Sequence, residues 1–172
     1  MSVMFEAGVK LGDLYEYLAQ KGYTLGFAFP YCHGLTIGGL LSTGSHGSSR
    51  VHPAISSQRV ISMNVVNGRG DLVHIDSSQP ELLKAAKVGL GLLGVVHEIQ
   101  LKVIPMFNLQ MVTTTLEGET ALLSRPGQVN WGPVADAESI AWFPYHDRAA
   151  KYSGFITNKA PQPGAENIIL RP

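Results

Sequence analysis

Residues 34–49, Gly34-Leu35-Thr36-Ile37-Gly38-Gly39-Leu40-Leu41-Ser42-Thr43-Gly44-Ser45-His46-Gly47-Ser48-Ser49, constrain this chain more than any other stretch. Five glycines, six hydroxyl side chains and one histidine fall within sixteen positions. Glycine lets a backbone take positive φ and approach a ligand closely. Thr36 is placed to cap a short helix whose first turn is residues 37–41. Unsatisfied N–H groups at such a helix start suit a phosphate or pyrophosphate. Ser42, Thr43, Ser48 and Ser49 add hydroxyl donors, and His46 adds a ring that can donate or accept. The same composition also marks plain loops and turns, so pattern alone leaves both readings open. Two phosphate-binding motifs are excluded. No lysine follows the glycines at the spacing of a P-loop, and the glycines are not spaced G-x-G-x-x-G after a strand.

The rest of the chain reads as strands and helices that hold this loop. Val3 to Ala7 alternates as a strand, and Gly8 ends it. Leu11, Leu14, Tyr15 and Leu18 recur at helical spacing up to Gly22. Tyr23 to Phe29 is a short apolar strand stopped by Pro30. Arg59 to Val66 reads as a strand, Asn67-Gly68-Arg69-Gly70-Asp71 as a hairpin turn, and Leu72 to Ile75 as the returning strand. Ser77 or Ser78 is expected to cap a helix starting near Pro80, with Leu82, Leu83, Ala85 and Ala86 on its apolar side. Gly89, Gly91 and Gly94 punctuate a turn. A long strand from Val95 to Ile104 follows, with Val95, His97, Ile99, Leu101 and Val103 on one face and Val96, Glu98, Gln100 and Lys102 on the other. Pro105 is expected to end it.

Beyond Pro105 the texture changes. Met111 to Leu116 is a Thr-rich strand, and residues 119–123 suit a helical turn. Residues 125–136 are rich in Gly and Pro. Ser139 to Tyr145 and Lys151 to Thr157 read as two strands around His146-Asp147-Arg148. The expected organisation is residues 1–105 as one domain, 106–157 as the beginning of a second, and 158–172 as a poorly ordered tail. Limited proteolysis is expected to cut first between Arg125 and Asp136 or after Thr157.

Composition narrows the function. With 45% hydrophobic and 15% charged residues, the 172-residue chain can bury a core. Thirteen basic and thirteen acidic residues leave no net charge, which speaks against a nucleic-acid surface. Cys32 is the only cysteine, so no internal disulfide forms, and it reads as a small buried residue. No apolar run is long enough to cross a membrane as a helix, and residues 1–6 lack the basic start of a secretory signal. The six histidines, His33, His46, His52, His74, His97 and His146, show no H-x-x-x-H or H-x-H pair, so no metal site is expected. Ser42, Ser45 or Ser48 beside His46 is a poor nucleophile–base arrangement, and no G-x-S-x-G elbow is present.

Residues 34–39 and 42–49, followed by Ala85-Ala86-Lys87-Val88-Gly89-Leu90-Gly91-Leu92-Leu93-Gly94-Val95-Val96, resemble two segments of one flavoprotein superfamily. It is the vanillyl-alcohol-oxidase/p-cresol-methylhydroxylase superfamily, and within it the sugar-1,4-lactone oxidases of the plant L-gulonolactone oxidase type. The resemblance runs from about Val3 to about Ser153. It implies an α+β fold: the second subdomain of a PCMH-type FAD-binding domain, an antiparallel-rich sheet flanked by helices, plus the start of a cap or substrate domain.

The implied cofactor is FAD. Thr36, Gly38, Gly39, Ser42, Thr43, Gly44, Ser45, His46 and Ser49 would line its pyrophosphate and flavin. Gly94, Val95 and Val96 would run beside its adenine and ribose. The implied activity is hydride transfer from a sugar 1,4-lactone, of the L-gulono or D-arabinono type, to flavin. The family's upstream flavin-linking subdomain and downstream catalytic motifs match no position here. A partial copy is therefore expected, inert towards aldonolactones when isolated and prone to self-association through an incomplete cap domain. The rival reading is a non-catalytic remnant that binds nucleotide or serves as an interaction module.

Overall fold

The computed structural model describes residues 1–26, 34–53, 56–117, 133–143, 145–146 and 148–163. They fall into two compact units. The first holds Met1–Gly47 and His52–Met106 with Pro163, and the second holds Ser48–Val51 and Phe107–Gln162.

In the first unit, β1 (Ser2–Glu6), α1 (Leu11–Gln20), β2 (Tyr23–Thr24) and α2 (Ile37–Ser42) lead to a 3₁₀ turn at Ser56–Arg59. Then come β3 (Val60–Val66), β4 (Leu72–Ile75), α3 (Pro80–Lys87), β5 (Val95–Lys102) and β6 (Ile104–Pro105). The main sheet has the order β1-β5-β3-β4, and every pairing is antiparallel. The helices cover one face of it. Leu11, Leu14 and Leu18 of α1 and Ile37, Leu40 and Leu41 of α2 join Met63, Ile99 and Leu101 of the sheet in a single buried core. The i, i+3, i+4, i+7 spacing of α1 turns those side chains inward, and Gly22 at φ +75° ends the helix in the left-handed region that glycine tolerates.

The outer face of the sheet is polar and laced across strands. Ser62 Oγ donates to Gln100 Oε1 at 3.0 Å, and Gln100 Nε2 donates to Ser2 Oγ at 3.0 Å. Asn64 Nδ2 donates to Glu98 Oε2 at 2.6 Å, and His74 Nδ1 lies 2.7 Å from Asn64 Oδ1. The turn between β3 and β4 is built by Asn67, whose Oδ1 accepts the amides of Arg69 and Asp71.

The structure corrects several local expectations. Gln79, not Ser77 or Ser78, occupies the cap position of α3; Ser78 is instead held by Asp76 through its amide and its hydroxyl. Ala85 faces solvent, and only Leu83 and Ala86 of α3 are buried. The long strand expected from Val95 to Ile104 breaks at Val103: β5 ends at Lys102, and Ile104–Pro105 forms β6, which pairs with β2 and matches Tyr23 with Pro105 and Thr24 with Ile104. Residues 27–29 of the strand expected from Tyr23, and Cys32 and His33, lie outside the described residues.

The alternation expected for β5 also fails at its start. Register shifts on β3 at Val60/Ser62 and Asn64/Val65 offset the pairing, so that Val65 meets Val96. A bulge of this kind moves neighbouring side chains to opposite faces. Val96 thereby packs on the core, while Val95 is 71% exposed.

The second unit is a three-stranded antiparallel sheet, β7 (Asn108–Glu117), β8 (Ala137–Phe143) and β9 (Arg148–Thr157), in the order β7-β9-β8. Ser48–Val51 runs along β8: Ser49 bridges Ala137, Glu138 N–H donates to the Ser48 carbonyl, and Arg50 N–H donates to the Asp136 carbonyl at 2.6 Å. Ala149, Lys151 and Ser153 alternate as the buried residues of β9. Lys151 is buried and its charge partner Glu138 is half-buried: Nζ lies 2.8 Å from Glu138 Oε1, and Arg50 approaches the same carboxylate at 3.3 Å. Residues 119–123, 125–132 and 164–172 lie outside the described residues, so the helical turn, most of the Gly/Pro-rich stretch and most of the tail are not described.

Candidate functional site

The glycine-rich segment begins at Thr36, which has extended backbone and whose Oγ1 accepts the Gly39 amide at 3.2 Å. This is the expected cap. The expected free amides are absent from it. Ile37 N–H donates to the Val9 carbonyl at 2.9 Å and Gly38 N–H to the Ala7 carbonyl at 2.8 Å. Gly39 N–H is taken by Thr36 itself. The start of α2 is therefore tied to the β1–α1 connection and leaves no amide there for a pyrophosphate, which corrects the sequence reading. Gly38 has a packing reason as well: a Cβ there would lie 2.8 Å from Ala7 Cβ.

The segment is two-sided. Ile37, Gly38, Leu40 and Leu41 are buried, whereas Thr36, Gly39, Thr43 and His46 are exposed. The exposed row is a line of hydroxyls and a ring on an open surface. Thr36 Oγ1 accepts one bond and still carries a proton to donate. Thr43 Oγ1 donates to the Gly39 carbonyl at 3.0 Å and lies 3.3 Å from Ser45 Oγ. His46 Nδ1 lies 3.3 Å from the Gly47 carbonyl. Gly44 has φ +69°, a conformation that lets Ser45 N–H return to the Leu40 carbonyl at 3.0 Å. Ser49 belongs to the second unit, on the edge of β8.

The second motif packs onto the first. Leu90, at φ +49°, donates its amide to the Ser42 carbonyl at 3.2 Å. A Cβ on Gly44 would lie 3.2 Å from Val88 Cγ1. Residues 42–44 and 88–90 thus form one surface, although more than forty positions separate them. Gly94, at φ +134°, lies against the Val66 carbonyl and Asn67, and a Cβ has no room there. Its glycine is explained by contact with the β3–β4 hairpin. Val95 is exposed, as are Leu90 and Leu92 at 67% and 87%, while Val96 packs on the core.

One residue of the site escaped the sequence reading. Arg59, on the 3₁₀ turn that packs against α2, is only 4% exposed, and its Nε and Nη2 are buried with no hydrogen-bond partner. Burial pushes its guanidinium below the usual arginine value. No local pattern flags it, because Ser57-Gln58-Arg59 reads as a polar turn before a strand.

Residues 1–76 match a family model described as an FAD binding domain. The D-arabinono-1,4-lactone oxidase of Eremothecium gossypii is 35% identical over 161 residues, spanning 91% of this chain and 29% of that protein. The enzyme of the same name from Saccharomyces cerevisiae is 32% identical over 92% of this chain and 29% of its own length. A probable L-gulonolactone oxidase 6 from Arabidopsis thaliana is 39% identical over 62% of this chain and 19% of its own. The chain therefore spans less than a third of the curated relatives it matches. Among solved structures, a solvent-stable cholesterol oxidase superposes with a TM-score of 0.78 over 93% of this chain and 33% of that one, at 19% identity.

Residues 1–76 carry the match to an FAD binding domain, and the chain is similar to FAD-linked lactone oxidases along most of its length. Its mixed α/β architecture with antiparallel sheets is the one the motifs implied, and FAD is the cofactor that the matched domain binds. The residues present fit such a group. An exposed row of hydroxyls beside an open Gly39 offers donors to a polar cofactor edge, exposed apolar side chains at Leu90, Leu92 and Val95 lie on the adjoining motif, and a buried guanidinium has donors to spare. Among the described residues, no cluster of histidine, cysteine or carboxylate side chains could hold a metal ion. No described helix is long and apolar enough to cross a membrane.

Proposed function

We propose that this chain contributes part of the flavin site of an FAD-dependent oxidoreductase that oxidises a sugar 1,4-lactone of the D-arabinono or L-gulono type. The observation that carries this reading is similarity to D-arabinono-1,4-lactone oxidases across 91% of the chain, through both motifs that the fold brings together. When bound, FAD supplies the acceptor for the hydride. The chain's own residues bind and orient. Thr36, Thr43 and His46 present hydroxyl and ring donors on the exposed side of the segment, with half-buried Ser42 and Ser45 among them and exposed Gly39 between Thr36 and Thr43. Gly44 shapes the turn that carries them. Val95, beside Gly94 and Val96, offers an apolar edge to the adenine side.

In this reading residues 1–105 are the FAD-binding portion and residues 106–157 the start of a substrate domain. The second sheet self-associates through exposed Ile140 and Trp142, which share a face and are 47% and 48% exposed. The test is the visible spectrum of the purified chain titrated with FAD, read beside turnover of D-arabinono-1,4-lactone and L-gulono-1,4-lactone. Bound oxidised flavin with no turnover by the chain alone is expected. Absence of any flavin binding would sink the assignment, and turnover by the isolated chain would sink the expectation of inertness. Gly39→Val, which places side-chain atoms on the open row, is expected to lower FAD occupancy while the chain stays folded.

A further inference from the structure

We propose that Arg59 is an oxyanion-binding residue whose ligand is the pyrophosphate of FAD. The proposal rests on the flavin reading above and adds a residue that neither motif contains. Arg59 is 4% exposed, and two of its nitrogens, Nε and Nη2, are enclosed without an acceptor. These two donors lie on one edge of the guanidinium, the fork that meets two oxygens of a carboxylate or phosphate side by side. A buried charge left without a partner is strongly unfavourable. None of the ion pairs among the described residues involves Arg59.

Gly26 sits against the fork at φ +80°, with its amide bonded to Thr24 Oγ1 at 3.3 Å. A Cβ at Gly26 would fall 2.8 Å from Arg59 Nη2, 2.7 Å from Ile104 Cδ1 and 3.2 Å from His52 Cγ. Any larger residue would fill the space beside the guanidinium. The turn carrying Arg59 packs against α2, the helix of the glycine-rich segment. That segment cannot meet an anion with helix amides, because those of Ile37, Gly38 and Gly39 are all committed within the protein. Arg59 is also the only buried cation among the described residues of the first unit. The charge that the amides do not supply is available from this side chain.

The experiment compares the whole chain with Arg59→Met and Arg59→Lys, using calorimetric titration and thermal melting with FAD, inorganic pyrophosphate and riboflavin. Wild type should be stabilised by pyrophosphate and by FAD. Arg59→Met should weaken both by about tenfold or more, through loss of a charge-assisted pair of hydrogen bonds. Riboflavin, which lacks phosphate, should bind the two alike. Without ligand, Arg59→Met should melt no lower than wild type, since it removes an unpaired buried charge. Arg59→Lys keeps the charge without the fork and should fall between them; it carries the comparison if Arg59→Met does not fold.

Equal FAD and pyrophosphate affinity in wild type and variants overturns the role of Arg59 and leaves the flavin reading standing. Pyrophosphate binding that depends on Arg59, with no binding of FAD, keeps the oxyanion site and overturns FAD as its occupant. Failure of wild type to bind pyrophosphate or FAD overturns the proposal.

Discussion

At the scale of single residues, neighbouring positions of the glycine-rich segment do different work. Thr36 caps α2 with its side chain, and Thr36→Ala should cost about 1 kcal/mol of stability, read from a denaturant midpoint. Gly38 and Gly39 separate packing from binding. A side chain at Gly38 meets Ala7 inside the core, so Gly38→Val should destabilise by about 1–3 kcal/mol. A Cβ at Gly39 meets only the Thr36 hydroxyl, at 3.1 Å, so Gly39→Val should mainly affect ligand. Gly94→Ala should be the more damaging change in the second motif, at about 2–3 kcal/mol, because it combines a positive φ with a clash against the Val66 carbonyl. If Gly94→Ala melts with wild type, the close approach is wrong. Arg59 belongs at this scale too: its identity was visible, but its burial was not.

At the scale of elements, the β3–β5 pairing and the β8–β9 pairing each decide something that periodicity could not. The shift between Asn64 and Val65 turns Val96 inward and Val95 outward, so the apolar edge of the proposed site depends on a bulge. On β9, Lys151 is buried where Glu138 of β8 pairs with it, and Arg50 of the crossing segment pairs with the same carboxylate. The hydrogen bond from Lys151 is the largest cause holding the Glu138 carboxyl below its ordinary value of 4.5, with the charge of Arg50 a smaller one. A carboxyl whose folded pKa is lowered adds stability above its unfolded pKa, and loses it as pH falls through the folded one. Protection factors of amides in β8 and β9, corrected for intrinsic exchange at each pH, should therefore fall as pH drops below about 4.5. Glu138→Gln should flatten that dependence. Lys151→Met should weaken the same sheet by about 1–3 kcal/mol, because it strands the carboxylate. Protection factors that do not change as pH falls below the ordinary glutamate value of 4.5 would contradict the ion pair.

At the scale of the molecule, two units share a crossing of the chain, with Ser48–Val51 leaving the first sequence block to join the second sheet. Sedimentation of the purified chain should show association that rises with concentration, and Ile140→Ser with Trp142→Ser should reduce it. A monomer at every concentration would remove the apolar face as the cause.

The sequence alone determined much of this protein. The spacing of Leu11, Leu14 and Leu18, the Thr36 cap, the Asn67–Asp71 turn and the order of the two glycine motifs depend on local stereochemistry, and local stereochemistry is written in neighbouring residues. Those features were enough for the α+β class and for FAD as the cofactor. The tertiary structure alone decided where each donor is spent. Whether the α2 amides are free depends on Ala7 and Val9, roughly thirty positions upstream. Whether Val95 or Val96 faces out depends on a register shift with β3. Whether Arg59 is solvated depends on Gly26, His52 and Ile104 closing around it. Burial and hydrogen-bond partners are set by contacts between distant segments, and no local pattern of residues encodes them.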